Sequence, residues 1–274
     1  MTAASLLTVD PDDVVVRLSE VRRRIAAAGG GGRHISIVAM TKGFGPDAVR
    51  AAVAAGVRDV GENYADELVA KHAQVEGSPP AVEGTAGAEP TGPPYVYDLG
   101  DDSEAGAPRA RGAPDLGGAG GGATRAWHFL GRVQRNKVKR LAPLVHLWQT
   151  VDRTAAGQEI ARRAPGARVL VQLNVSGQPG RTGCAPADAP ALVDGLRAME
   201  LDVVGLMAIG PPGPPESARS AYRDLAAMAD WLELPERSMG MTDDLEVAVE
   251  EGTTMVRVGR ALFGSRTVPT DLRR

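Results

Sequence analysis

Apolar residues recur along this chain with two different periods. Short apolar or β-branched runs begin at Ile35 (ISIVAM), Val57 (VRDVGE), Ala126 (AWHFLG), His146 (HLWQTV), Arg168 (RVLVQLNV), Asp202 (DVVGLMAI), Arg237 (RSMGM) and Met255 (MVRVG). Runs of this length predict buried strands. Between them the apolar spacing lengthens to three and four residues, the helical period. PDAVRAAVAAG opens on Pro46 and closes on Gly56, residues that favour a helix start and a helix end. ADAPALVDGLRAM and PPESARSAYRDLAAMADWLEL share the period. TDDLEVAVEEG carries Thr242, Asp243 and Asp244 as candidate caps and Gly252 as its stop. DPDDVVVRLSEVRRRIAAAGG predicts an extra helix ahead of the first strand. Strict alternation of strand and helix implies a parallel sheet. Eight such units in about 230 ordered residues match a single (β/α)8 TIM barrel of the α/β class. A doubly wound open sheet is the alternative, disfavoured because no G-x-G-x-x-G follows the first strand.

One stretch breaks the alternation. Residues 77–125 are roughly two-fifths Gly and Pro, and such a composition buries too little apolar surface to offset the entropy of ordering. It predicts a disordered insertion after the second βα unit of one domain spanning 1–274; only YVYDL, 95–99, has the composition to dock locally. Charge and cysteine usage narrow the function. A net charge of -3 with mixed signs argues against a nucleic-acid binder. No apolar run is long enough to cross a membrane, and the amino terminus lacks the features of a secretory signal. Cys184 is the only cysteine, which excludes an internal disulfide or a Cys-based zinc site and fits a reducing cytoplasm. The four histidines show no H-x-x-x-H spacing, so metal catalysis is disfavoured.

In such a barrel the chemistry gathers at the carboxyl ends of the strands. Those ends supply Lys42; Glu62, Asn63 and Tyr64; His128 and Gly131; Asn174 and Ser176; Met207; Gly240, Met241 and Thr242; and Arg257, Gly259 and Arg260. The loops after strands seven and eight are a usual phosphate site in this fold. Here they carry the Thr242 hydroxyl and Gly259, which allows close backbone approach to an anion. A lysine across the mouth from a phosphate site suggests a Schiff base to an aldehyde, since desolvation frees its amine. Arg257, facing a pyridine nitrogen, would leave that nitrogen unprotonated and the ring a weak electron sink. The alternative for Arg257 is an ion pair with a barrel acid such as Glu62.

VAMTK, GENY, WHFLGRVQRNK, QLNVSGQPGRTG, GLMAI and MGMTDDLEVAVEEGTTMVRVGRALFG, in this order between Ile35 and Arg266, resemble the pyridoxal phosphate homeostasis protein family. That family is related in fold to the N-terminal domain of alanine racemase. The resemblance implies pyridoxal 5'-phosphate (PLP) held as a Schiff base on Lys42, and phosphate contacts from Met241, Thr242, Gly259 and Arg260. It implies a pyridine contact from Arg257, with Asn63 and Met207 in the cofactor pocket. The departures are Thr242 for the usual Ser, Arg260 for a frequent Thr, Arg181 for a frequent Lys, and the 77–125 insertion. An arginine at 181 cannot form a Schiff base, which puts any aldehyde-transfer role of that position in doubt.

The resulting expectation is a cytoplasmic PLP-binding protein that buffers the cofactor, with apo forms of PLP-dependent enzymes as candidate recipients, itself a monomer or weak dimer. Robust catalysis is not expected. A PLP-dependent amino-acid racemase is the first alternative. It needs a second acid/base on the opposite face of the substrate, for which only His128 or Tyr64 is at hand; the tyrosine-bearing β domain of alanine racemase has no room in a chain ending at Arg274. The second alternative is a sugar-phosphate lyase or aldolase barrel using Lys42.

Overall fold

The computed structural model describes residues 9–76 and 125–265. Eight parallel strands close into a barrel in chain order: β1 (Ser36–Met40), β2 (Asp59–Glu62), β3 (Ala126–Phe129), β4 (Leu147–Val151), β5 (Arg168–Leu173), β6 (Asp202–Ala208), β7 (Glu236–Ser238) and β8 (Met255–Val258). β1 seals the barrel, with Val38 opposite Asp59 on β2 and opposite Arg257 on β8. The closed topology settles the choice against an open sheet. Residues 77–124 of the expected insertion lie outside the described residues.

The helices begin and end where local chemistry dictates. α1 (Pro11–Ile25) starts with the Asp10 carboxylate accepting the Asp12 amide at 2.9 Å, and Val14, Leu18, Val21 and Ile25 form its buried stripe. α2 (Pro46–Ala54) has Pro46 in its first turn, and Gly56 just past its end has φ of 89°. α3 (Ala65–Glu76), α4 (Arg135–Leu141), α5 (Thr154–Arg163), α6 (Ala189–Arg197) and α7 (Arg219–Trp231) complete the outer ring with α8 (Leu245–Glu250) and the short α9 (Arg260–Phe263). Asp244 is the N-cap residue of α8 but makes no side-chain cap bond. Its carboxylate is committed elsewhere, so the expected capping role is corrected.

Strand side chains alternate between the helix layer and the lumen. Val60, Trp127, Phe129, Trp148, Val169 and Val171 pack outward in the main core, and Ala39, Val256 and Val258 in a second one under α1. Val38, Met40, Leu130, Leu147, Leu170, Val204, Met207 and Met255 fill the lumen. Gly61 belongs to that inner face: a Cβ there would lie 2.4 Å from the Met40 sulfur and 2.8 Å from Leu130. The lumen also holds Asp59, His128, Gln149, Ser238 and Arg257, all buried.

Candidate cofactor site

The carboxyl end of the barrel opens into a cavity of about 520 Å³. All eight residues expected to hold the cofactor line it: Lys42, Asn63, Met207, Met241, Thr242, Arg257, Gly259 and Arg260. Phe44, Arg181, Ile209 and the Gly-Pro-rich turn 210–215 form the rest of the wall, together with Asp243 and Asp244. Tyr64 and His128 are not among the lining residues. Tyr64 is 60% exposed, whereas His128 is buried in the lumen against Asp59 at 3.1 Å. Asn174 and Ser176 line a smaller neighbouring cavity, which shares Arg181 and Ile209 with the first.

Lys42 sits on a backbone tied on both sides. Thr41, before it, gives its amide to the Gly61 carbonyl at 3.1 Å and its hydroxyl to Glu62 at 2.6 Å, and its carbonyl accepts from Lys71 Nζ at 2.7 Å. Gly43, after it, gives its amide to Glu67 at 3.0 Å. Lys71 in turn pairs with both Glu62 and Glu67. Burial pushes the Glu62 carboxyl up, outweighing the opposite pull of Lys71 and of its hydrogen bonds. The ion pair of Glu62 is thus with Lys71, at Oε1, and not with Arg257.

Arg257, 3% exposed, donates Nη1 to Ser238 Oγ at 2.7 Å and Nη2 to the Ala208 carbonyl at 2.8 Å. Both acceptors are neutral. Burial lowers its pKa, opposed by the nearby Tyr222 and Asp244, yet a guanidinium stays charged under such a shift.

The loops after β7 and β8 meet at the opposite wall. The Thr242 hydroxyl accepts the Ala261 amide at 3.4 Å, joining the two loops. Arg24 of α1 grips the first loop from behind, donating to the Thr242 carbonyl at 2.9 Å while its Nε and Nη2 hold Glu246 at 2.6 and 2.7 Å. A Cβ on Gly259 would come within 3.2 Å of the Met40 carbonyl oxygen, a tight contact between strand β1 and this turn. Two sequence expectations need refinement here. The Met241 amide already donates to Asp244 Oδ1 at 2.6 Å, and the Arg260 guanidinium pairs with Asp243. Asp244 also accepts the Tyr222 hydroxyl at 2.6 Å, which together with burial pushes the phenol up. Sequence reasoning missed Ser238 and Tyr222 in this region and read Asp244 only as a helix cap. Its one available signal for the Pro-rich wall was the GPPGPP run itself.

Residues 16–267 match the family described as alanine racemase, N-terminal domain. The pyridoxal phosphate homeostasis protein of Pseudomonas aeruginosa is 32% identical over 257 residues, covering 90% of this chain and 92% of that protein. The chain belongs to the pyridoxal phosphate homeostasis protein family. A second member, from Deinococcus radiodurans, is 34% identical over 253 residues, covering 90% of this chain and 97% of its own length. Among solved structures, PipY of Synechococcus elongatus PCC7942, with PLP bound, superposes with a TM-score of 0.67 at 25% identity. The match covers 92% of this chain and 100% of PipY. Thr242, Arg181 and Arg260, the positions expected to depart from the family's usual residues, all fall on the cavity wall.

Proposed function

We propose that this chain is a PLP-binding homeostasis protein that holds the cofactor in the 520 Å³ cavity with its aldehyde on Lys42 as a Schiff base. The observation that carries this reading is convergence. An amine, a buried guanidinium on neutral acceptors, and a hydroxyl beside a glycine turn line one cavity, although they come from β1, β8 and the loop after β7. The donor set fits the group. The Asn63 side-chain oxygen is buried with no hydrogen-bond partner, as expected of a residue awaiting a ligand donor. The turn at Gly259 runs close against β1, where an added Cβ would lie 3.2 Å from the Met40 carbonyl oxygen. The bound relative PipY and the names of the homologues support the same cofactor.

When bound, PLP would supply a reactive aldehyde and an electron-withdrawing ring. Lys42 would engage the aldehyde, Arg257 the ring nitrogen, and Thr242 with the Gly259–Arg260 turn the phosphate. A guanidinium at the ring keeps the nitrogen unprotonated, which suits storage better than carbanion chemistry. We read the chain accordingly as a cytoplasmic cofactor buffer, a monomer or weak dimer, that delivers PLP to apo-enzymes. Among the described residues no helix is long and apolar enough to cross a membrane. The racemase alternative loses support, since neither of its candidate second bases lines the cavity.

The test is the spectrum of purified protein supplied with PLP, before and after borohydride, followed by peptide mapping. A visible imine band that borohydride abolishes, with the label on Lys42, is the expected result. A label on another lysine, or no band, overturns the assignment. Efficient racemisation of free alanine would replace the carrier reading with the enzymatic one.

A further inference from the structure

We propose that Ser238, Gln149 and His128 are positioning residues for Arg257, forming a one-way hydrogen-bond chain through the barrel lumen that ends near the Asp59 carboxylate and fixes how the guanidinium faces the cavity. The proposal rests on the cofactor reading above for its consequence, but not for its geometry.

The direction of the chain follows from the Gln149 amide orientation in the structure. Arginine has donors and no acceptor, so at the 2.7 Å contact Arg257 Nη1 donates and Ser238 Oγ accepts. The Ser238 hydrogen is then free for Gln149 Oε1, also 2.7 Å away. That orients the Gln149 amide, whose Nε2 faces His128 Nδ1 at 2.7 Å and the Met255 sulfur, a weak acceptor, at 3.1 Å. An NH2 group offers hydrogens only, so His128 Nδ1 must accept. Its proton therefore sits on Nε2, which points at Asp59 Oδ1 at 3.1 Å. With the Gln149 amide in this orientation, the donor at one end and the carboxylate beyond His128 agree on the same order of hydrogens.

These residues come from β8, β7, β4, β3 and β2, so the chain crosses the barrel rather than following one strand. Each group presents its negative end toward Arg257, and aligned dipoles of this kind stabilise a buried cation whose own hydrogen bonds go to neutral acceptors. The arrangement also gives Arg257 a neutral partner on each of two amino groups, Ser238 on one and the Ala208 carbonyl on the other. With both anchored, the plane of the guanidinium is set before any ligand arrives. Losing Ser238 would leave Arg257 Nη1 and Gln149 Oε1 without their shared partner in a buried setting.

Two measurements test this. The first needs no cofactor: ¹⁵N spectra of histidine-labelled protein, with His128 assigned by its loss in His128→Asn. The expected result at neutral pH is a neutral ring protonated on Nε2. A proton on Nδ1, or on both nitrogens, breaks the chain at Gln149 and overturns the proposal. The second compares PLP binding and the visible maximum in Ser238→Ala, Ser238→Thr, Gln149→Met and the lumen control Leu170→Ala. Ser238→Ala should bind PLP about tenfold more weakly, the scale of one hydrogen bond to a charged group, and displace the visible maximum. Gln149→Met should displace the maximum in the same direction, and Ser238→Thr should restore both properties. Leu170→Ala should lower stability and leave the maximum in place. An unmoved maximum in either Ser238→Ala or Gln149→Met, or an equal displacement in Leu170→Ala, overturns the positioning role. If Ser238→Ala does not fold, Gln149→Met decides. Failure of the wild-type chain to take up PLP would instead refute the proposed function, and the His128 tautomer would still decide the chain itself.

Discussion

Lys71 lies on the inward face of α3 with its side chain 6% exposed, and it touches Glu62, Glu67 and the Thr41 carbonyl at once. A lysine is removed from water at this cost only where its charge and hydrogen bonds are answered. Replacing it with methionine keeps most of the volume but leaves Glu62 buried without its cation. Breaking such a pair costs about 3–5 kcal/mol. Because burial already pushes the Glu62 carboxyl up, that glutamate can protonate, so the lower end of the range is expected. The sign follows: in Lys71→Met the folded state holds the Glu62 proton more tightly than the unfolded chain. Stability of the variant should therefore fall as pH rises out of the glutamate range. Adding Glu62→Gln should recover much of the loss. Urea unfolding across pH checks all three points, and a cost below about 1 kcal/mol at neutral pH would mean the pair does not clamp the Lys42 backbone. The same residue shows why sequence alone reached only part of the site. Lys42 and Thr242 stand at predictable strand ends. Lys71, Ser238 and Gln149 are polar side chains whose burial depends on which neighbours the barrel brings to them, and their local patterns look like those of surface residues.

The elements themselves were legible because each carries its own punctuation: Pro46 and Gly56 around α2, Asp10 before α1, and β-branched residues in the strands. The role of α1 was not. It reads as an appendage to the barrel, yet Arg24 near its end reaches across to hold the Thr242 carbonyl and Glu246, 218 and 222 residues away in sequence. No local pattern encodes a contact of that separation. Arg24→Ala should leave α1 intact but loosen the loop after β7. PLP affinity should drop while pyridoxal affinity changes little, because the loosened loop is the one expected to meet the phosphate. The hydrogen bond from Arg24 depresses the Glu246 carboxyl below its usual value. Its contribution is thus fully present above the ordinary glutamate range and is lost as pH falls through the depressed value. Both side chains are partly exposed, so the stability change should be small. Acid titration of wild type and Arg24→Ala by circular dichroism should show the two curves converging at low pH. Equal losses of PLP and pyridoxal affinity would detach Arg24 from the phosphate end.

Across the whole molecule, one closed barrel brings together groups that belong to different strands, so ligand binding and folding must be linked. The unfolded chain keeps Lys42 as an ordinary amine but has no cavity, no buried guanidinium and no paired loops. A ligand that binds only the folded barrel stabilises it by about 2.7 kcal/mol at a hundredfold excess over its dissociation constant. For a domain of this size that corresponds to a rise in melting temperature of roughly 5–10 °C. The pattern across ligands and variants carries the information. PLP should raise the transition of the wild-type chain the most. Lys42→Ala should keep a reduced shift, since Arg257, Thr242 and the Gly259 turn remain in place. Pyridoxal, lacking phosphate, should give a reduced shift with the wild type and almost none with Lys42→Ala, where both anchors are gone. If lysine and phosphate act as independent anchors, their losses should add in free energy, the behaviour of separate sites. If Lys42→Ala responds to PLP as strongly as the wild type, the aldehyde contributes nothing to binding and the lysine is not its partner. If pyridoxal matches PLP, the loops after β7 and β8 do not hold the phosphate, and the cavity recognises the ring alone.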